Sequence, residues 1–327
     1  MDSYQKNIIS SPSRLSKKGL ESENLFVLRG ARPDGVIVCG MGGSGLAGMI
    51  LRYSRKETGL DLPVFSWRHY ELPEMQEFGL KHPLYVFVSF SGNTEETISA
   101  YRLAQKKRSL SLAVVSTGGK LLQLAEKNHS PLVRFPAEGL TPRQGVGRMF
   151  YALIQILQAA KLIPQKEFDY RHMDARKEMS LGRSLAKKIF NKTAVIYTDR
   201  EHEDLGYLWK ITINETGKQP AFLNVLPEIH HNEISGFEKN VNPFVALLLY
   251  PPKHSPAMRK RFAVTRKMLN ELRVPVVEIN LSYKNKLEQV WRKLMLTEWV
   301  GYYLAQMHKV SPASTPTVDA IKQFLKK

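Results

Sequence analysis

The chain has 327 residues, which is too long for one small domain and suits two domains of average size. Its 43% hydrophobic and 24% charged residues are typical of a soluble globular protein, and no apolar run approaches the roughly 18 residues of a membrane span. The formal net charge of +18 attracts anions, but the basic residues are dispersed and show no nucleic-acid-binding signature. With a polar N-terminus and one cysteine, Cys39, we expect a cytoplasmic protein without membrane or nucleic-acid partners.

A short helix is predicted over residues 20–29, followed by an apolar strand over 36–39. That strand leads into Gly40-Met41-Gly42-Gly43-Ser44, a turn in which glycines allow a ligand to approach the backbone. The glycine spacing formally matches a dinucleotide-binding fingerprint. No acidic residue ends the second predicted strand, over 62–67, as that fingerprint requires. The turn therefore predicts a ligand other than a dinucleotide.

The most informative stretch follows the buried strand predicted over residues 84–88. There the chain reads Ser89-Phe90-Ser91-Gly92-Asn93-Thr94 and continues into a helix predicted over 94–103, with Asn93 or Thr94 as its N-cap. Free N–H groups and the positive end of the helix dipole favour an anion at such a position. Hydroxyl groups add further donors for a phosphate. Because both turns follow strand ends, we expect them to meet at one edge of a parallel sheet.

The rest of the chain alternates strands and helices, which predicts parallel sheets with helices on both faces. The remaining strands are predicted over 112–115, 132–135, 194–198, 244–250 and 274–280, and the remaining helices over 120–127, 144–162, 204–214, 256–272, 284–307 and 316–325. The pattern restarts at Thr193, so we predict an α/β protein of two doubly wound domains, 1–165 and 166–327. The second domain lacks a glycine-rich turn after its first strand.

Together these motifs resemble the sugar isomerase (SIS) domain. Several further segments narrow the resemblance to the bifunctional phosphoglucose/phosphomannose isomerase family, and it extends over nearly the whole chain. These segments are Arg68-His69-Tyr70-Glu71-Leu72-Pro73, Pro142-Arg143, Val146-Gly147, Asn214-Glu215, Leu226-Pro227-Glu228, His231-Asn232-Glu233 and Gly236. The resemblance implies two SIS-type domains and reversible aldose–ketose isomerisation of hexose 6-phosphates.

The resemblance also implies roles for individual residues. Glu215 is the base that moves a proton between C1 and C2, Arg143 stabilises the enediol, and His231 opens the sugar ring. In the family this histidine comes from the neighbouring subunit of a homodimer, and a lysine of the final helix joins it. Lys322 is the best match for that lysine, and Lys326 is the alternative. The substrate phosphate is assigned to Gly43, Ser44, Ser89, Ser91 and Thr94.

The chemistry that the resemblance implies requires neither a metal nor another cofactor, and the nine histidines show no metal-ligand motif. Glu228 and Glu233 could orient His231 or bind sugar hydroxyls, and the sequence does not choose between these roles. Arg148 has no evident role in the motif. An alternative function is a non-catalytic SIS regulator that binds sugar phosphates, and a second is the synthase domain of an amidotransferase. The first would carry a DNA-binding domain or lack the Glu215 and His231 pair. The second would need an N-terminal domain with a cysteine nucleophile, or a partner that supplies one, and Cys39, within a strand, cannot fill that role.

Overall fold

A computed structural model describes residues 1–107, 110–239, 243–251, 253–282 and 285–325. The chain divides into two compact units. The N-terminal unit comprises Ser10–Asp174 and Asn285–Leu287, and the C-terminal unit comprises Met1–Ile9, Ala175–Lys284 and Glu288–Lys327. The main division therefore falls after residue 174 rather than after 165, and the first nine residues group with the second half of the chain.

The N-terminal unit is built on a sheet of strand order β1-β6-β5-β4-β2-β3. Its strands are β1 (Glu21–Glu23), β2 (Val36–Cys39), β3 (Val64–Trp67), β4 (Leu84–Ser89), β5 (Ser111–Ser116) and β6 (Leu132–Arg134). Strands β2 to β6 run parallel, and only the short edge strand β1 is antiparallel to its neighbour. Strands β2 and β4 are buried along their whole length, as expected where helices cover both faces of a parallel sheet.

The helices of this unit are α2 (Gly42–Tyr53), α3 (Arg55–Thr58), α4 (Glu95–Lys106), α5 (Gly119–Lys127) and α6 (Val146–Ala159). Helix α6 is largely apolar and almost wholly buried, so it forms part of the core rather than a solvated layer. Cys39 is buried within β2, where burial raises the pKa of its thiol far above the ordinary value. A buried protonated thiol at this position is a packing group.

The C-terminal unit repeats the same strand arrangement in a smaller sheet. Strands β7 (Thr193–Asp199), β8 (Ala221–Leu226), β9 (Phe244–Tyr250) and β10 (Val276–Asn280) are all parallel, in the order β10-β9-β7-β8. Its helices are α1 (Ser3–Ile9), α7 (Met179–Ile189), α8 (Glu203–Glu215), α9 (Pro256–Glu271), α10 (Lys286–Met307) and α11 (Pro316–Phe324), although the first two residues of α10 group with the N-terminal unit. No helix in the described parts of the chain is both long and apolar enough to cross a membrane.

Several elements differ from the sequence predictions, among them the segment over 20–29 and strand β8. The helix predicted over 20–29 is wrong, because strand β1 forms there and is followed by a 3-10 turn over Leu25–Gly30. Arg134 on β6 pairs with Glu21 at 3.0 Å and Glu23 at 3.1 Å, which favours the strand over a helix. Strand β8 was not predicted, because Asn224 interrupts its short apolar sequence between Pro220 and Pro227.

Candidate functional site

Two turns of the N-terminal unit lie side by side at the carboxyl edge of its sheet. The glycine turn, residues 40–44, follows β2, and the hydroxyl turn, residues 89–94, follows β4. These two strands are neighbours in the sheet. The backbone N–H of Phe90 donates a hydrogen bond of 3.0 Å to Oγ of Ser44, so one turn is tied directly to the other. Open α/β sheets bind their ligands at this edge. The predicted meeting of the two motifs is therefore confirmed within this unit.

The hydroxyl groups of the second turn are arranged around the start of helix α4. Ser89 Oγ lies 2.9 Å from Thr94 Oγ1, and Ser91 Oγ accepts a hydrogen bond of 3.2 Å from the backbone N–H of Asn93. Thr94 stands at the N-cap position of α4, but its side chain bonds to Ser89 rather than capping the helix. The N–H groups of the first helical turn have no acceptor within the helix, and they carry the positive end of the dipole. This turn therefore presents hydroxyls and N–H donors suited to a phosphate.

Gly92 is required for the shape of this turn. Its φ of +66° is unfavourable for other residues, and a Cβ there would lie only 1.7 Å from the carbonyl oxygen of Gly118. Ser116 Oγ donates to the carbonyls of Ser89 and Gly118, at 2.7 and 2.9 Å. The backbone of the hydroxyl turn is thus held against the loop that follows β5.

Gly43 brings a third segment to the same edge. A Cβ on Gly43 would lie 3.0 Å from the carbonyl carbon of Pro142 and 3.1 Å from the backbone nitrogen of Arg143. Arg143 is 5% exposed and precedes helix α6, whose first residue is Val146. The structure therefore places the backbone of Arg143 against the glycine turn to which the phosphate is assigned.

Arg148, which has no evident role in the sequence motif, has a structural role. Its guanidinium contacts the backbone carbonyl of Lys18 and lies 3.6 Å from a carboxylate oxygen of Glu138. The side chain is buried on helix α6 and packs against Gly19. Arg148 thus ties α6 to the start of the N-terminal unit.

The predicted base, Glu215, is the last residue of helix α8 and is half-buried. The ammonium group of Lys218 donates to the backbone carbonyl of Glu215 and also to that of Ser314. Ser314 precedes helix α11, which has Thr315 at its N-cap position. Lys218 therefore joins the residue proposed as the base to the segment that leads into the final helix.

His230 and His231 have opposite surroundings. The ring of His230 is half-buried, with Nε2 2.7 Å from Thr265 Oγ1, and Nδ1 accepts a hydrogen bond of 3.0 Å from Arg261. Burial, and then the charge of Arg261, lower the pKa of His230. His231 is exposed at the end of the 3-10 turn Glu228–His231. His230 is therefore the packed histidine, and His231 is the one presented to solvent.

The two glutamates near His231 also differ. Tyr197 donates a hydrogen bond of 2.6 Å to one oxygen of Glu233, and the side-chain amide of Asn224 contacts the other. Glu228 is exposed and accepts a hydrogen bond of 3.0 Å from the side chain of Asn232. Glu233 therefore anchors the segment that carries His231 to strands β7 and β8.

Lys322 lies in the last turn of helix α11, where it is exposed and 3.7 Å from a carboxylate oxygen of Asp319. Its predicted pairing with His231 stays a prediction. The alternative, Lys326, lies outside the described residues.

Asp199, His202 and His254 form a largely buried group that could hold a metal ion, and no local sequence motif marks it. Of the residues that were predicted, the phosphate set and Arg143 belong to the N-terminal unit. Glu215, His231 and Lys322 belong to the C-terminal unit.

Known proteins resemble this chain along most of its length. The family model described as "Bacterial phospho-glucose isomerase C-terminal SIS domain" matches residues 178–325. A bifunctional phosphoglucose/phosphomannose isomerase from Aquifex aeolicus is 29% identical over 90% of this chain and 91% of that protein. A protein of the same name from Caldicellulosiruptor bescii is 28% identical over 98% of both chains. A D-glucosamine-6-phosphate 4-epimerase from Sulfolobus acidocaldarius is also 29% identical, over 64% of this chain and 66% of that protein.

The fold has a close counterpart among solved structures. A hypothetical protein from Thermus thermophilus superposes with a TM-score of 0.72, at 17% identity, over 99% of this chain and 90% of that chain. The predicted α/β fold of SIS type is thereby confirmed, and so is the prediction of an isomerase enzyme, because relatives that match nearly end to end are named as isomerases. The resemblance to bifunctional phosphoglucose/phosphomannose isomerases that the motifs predict is therefore confirmed, and it extends over most of the chain.

Proposed function

We propose that the protein interconverts fructose 6-phosphate with glucose 6-phosphate, and also with mannose 6-phosphate. The observation that carries this proposal is the pair of tied turns after β2 and β4, with the Arg143 backbone against Gly43. A phosphate bound by the N–H groups and hydroxyls of these turns fixes one end of a hexose phosphate. Arg143 then supplies a positive charge beside the bound sugar.

In the proposed reaction, the Glu215 carboxylate removes the proton from C2 of the open-chain aldose and adds it to C1 of the enediol, while the hydroxyl proton on O2 passes to O1, which gives the ketose. A positioned acid–base group of this kind is worth roughly 10²–10⁴-fold in rate. Negative charge develops on the enediol oxygens, and the fixed guanidinium of Arg143 offsets it. His231 opens the ring, since an imidazole can donate and accept protons near neutral pH. No step of this sequence requires a metal ion.

The proposal extends to the setting of the enzyme. We propose a cytoplasmic homodimer in which His231 is supplied by the neighbouring subunit, acting in hexose phosphate metabolism without nucleic-acid or membrane partners. The exposed position of His231 is compatible with that arrangement. Light scattering on a sizing column measures the mass, and a monomer at working concentrations would contradict the shared site.

The decisive assay follows fructose 6-phosphate conversion by the purified protein in EDTA, with glucose 6-phosphate and mannose 6-phosphate quantified separately. Formation of both aldoses supports the dual activity, whereas glucose 6-phosphate alone narrows the specificity. D-Glucosamine 6-phosphate is tested in parallel, because one relative is named as its 4-epimerase. A C4 epimer in that arm, without aldoses in the first, would favour epimerisation. Binding of fructose 6-phosphate without any turnover would favour the regulator.

Glu215→Gln tests the base. We expect turnover to fall by roughly 10²–10⁴-fold while fructose 6-phosphate still binds, because the amide keeps the shape but cannot take the proton. Glu271→Gln is the matched control, since Glu271 is the last residue of α9 in the same unit and is 3.8 Å from Lys267 in an exposed ion pair. Full activity in Glu215→Gln, or an equal loss in Glu271→Gln, would refute the assignment.

A further inference from the structure

The two units place equivalent turns at equivalent strand ends. The order β5-β4-β2-β3 within the first sheet matches β10-β9-β7-β8 in the second, so β7 corresponds to β2 and β9 to β4. The turn after β7 is thus the counterpart of the glycine turn, and the turn after β9 is the counterpart of the hydroxyl turn. In the C-terminal unit the first of these turns carries Asp199 and His202, and the second carries His254.

These three side chains converge. Asp199 ends strand β7, and the 3-10 turn Arg200–His202 follows it. The backbone N–H of His202 donates to Asp199 Oδ1 at 2.8 Å, and its ring Nδ1 lies 2.9 Å from the same oxygen. From the other turn, Nε2 of His254 contacts Asp199 Oδ2. One potential ligand atom from each residue lies within 4.8 Å of the other two.

The cluster is buried, with 4% of the Asp199 side chain exposed, 8% of His202 and 11% of His254. The three side chains are therefore shielded from bulk water.

His254 Nε2 is buried and pairs with Asp199 Oδ2. The ring is held in place by Phe262, which stacks on it with centroids 5.7 Å apart. Asp199 thus faces one histidine from each of the two turns. A bound metal ion would take the place of these direct contacts, with the three side chains as its ligands.

We propose that Asp199, His202 and His254 bind a divalent transition-metal ion, with zinc as the ion that the donors suit best. Two imidazole nitrogens and one carboxylate oxygen form a recurrent zinc donor set, and three protein ligands leave a fourth position for water. The bound ion would join the turn after β7 to the turn after β9, as the bond between Ser44 and Phe90 joins their counterparts. The proposed ion takes no part in the proposed isomerisation.

Zinc binding is measured on the full chain after EDTA treatment and removal of the chelator. We expect calorimetry with zinc chloride to show one ion per chain at this site and a rise in melting temperature. His202→Gln and His254→Gln should each weaken that binding by roughly tenfold or more, since even indirect partners of a metal site cost 10–100-fold. His172→Ala is the control, because His172 is an exposed histidine of the N-terminal unit.

Cobalt(II) gives a second readout that needs no variant. Binding at a four-coordinate site should produce the intense visible absorption of tetrahedral cobalt, and zinc should displace it. Absence of saturable zinc binding by the wild type, or equal affinities in the wild type and both glutamine variants, would overturn the proposal. Circular dichroism in EDTA tests whether each variant folds. If neither variant folds, the cobalt spectrum of the wild type decides, and an octahedral spectrum refutes the site. Loss of sugar-phosphate turnover alone would bear on the isomerase proposal and not on this one.

Discussion

Gly92→Ala tests the close contact between the hydroxyl turn and the backbone of Gly118. Gly92 has a φ of +66°, and an added Cβ would meet the carbonyl oxygen of Gly118 at 1.7 Å. Gly79 is the matched control, because its φ is +65° and a Cβ there has no neighbour within 4 Å among the described residues. Both substitutions incur the left-handed backbone cost of about 1 kcal/mol. Only Gly92→Ala forces two backbone segments apart, which adds about 1–3 kcal/mol.

The two variants should therefore differ clearly in denaturant unfolding. We expect Gly79→Ala to lower the free energy of unfolding by about 1 kcal/mol and Gly92→Ala to lower it by about 2–4 kcal/mol. Gly92→Ala should also weaken fructose 6-phosphate binding, because Ser91 and Asn93 flank the displaced residue, whereas Gly79→Ala should leave binding unchanged. Equal losses of stability in the two variants would show that the contact with Gly118 carries no cost, and the account of this turn would be wrong.

Two further predictions concern the C-terminal unit. Lys293 is 4% exposed, and burial lowers its pKa from 10.5 to about 8. The charged lysine therefore destabilises the folded state below pH 8, and this cost in free energy decreases as the pH rises toward 10.5. Lys293→Met should have a higher free energy of unfolding than the wild type at pH 7, and the difference should shrink by about 2 kcal/mol at pH 9.5. A difference that does not change with pH would contradict the lowered pKa of Lys293. Tyr197→Phe removes the hydrogen bond to Glu233 and should lower the free energy of unfolding by about 1.5–3 kcal/mol in denaturant titrations, whereas an unchanged value would show that Glu233 does not depend on Tyr197.

Buried strands were predictable because a parallel sheet covered on both faces leaves a continuous apolar run. Strand β9 has the predicted bounds, Phe244–Tyr250, and β4 extends the predicted strand by one residue. Strand β8 escaped prediction because Asn224 interrupts its short apolar sequence, and both Phe222 and Asn224 are exposed in the structure. Local apolar density therefore identifies strands whose apolar run is uninterrupted, such as β4 and β9.

The same distinction applies to the sites. The turns that contain Gly43 and Ser89 were predictable because each is a contiguous stretch of residues whose types indicate a turn. The cluster of Asp199, His202 and His254 has no such local signature, since α8, β8 and β9 separate its last member from the other two along the chain. Only the adjacency of β7 and β9 in the sheet brings them together. Similarly, the role of Arg148 depends on its contact with the carbonyl of Lys18, which is distant in sequence.

Helix α1 has a consequence for how the chain can be divided. Tyr4 lies 3.3 Å from the hydroxyl of Thr216 and stacks on Tyr302, and the carboxylate of Asp2 accepts a hydrogen bond of 2.8 Å from Tyr302, 300 positions later in the sequence. The C-terminal unit is therefore discontinuous in sequence, because residues 1–9 group with residues from the second half of the chain. A fragment that starts at residue 175 lacks these contacts and leaves the surfaces of Thr216 and Tyr302 that face α1 uncovered.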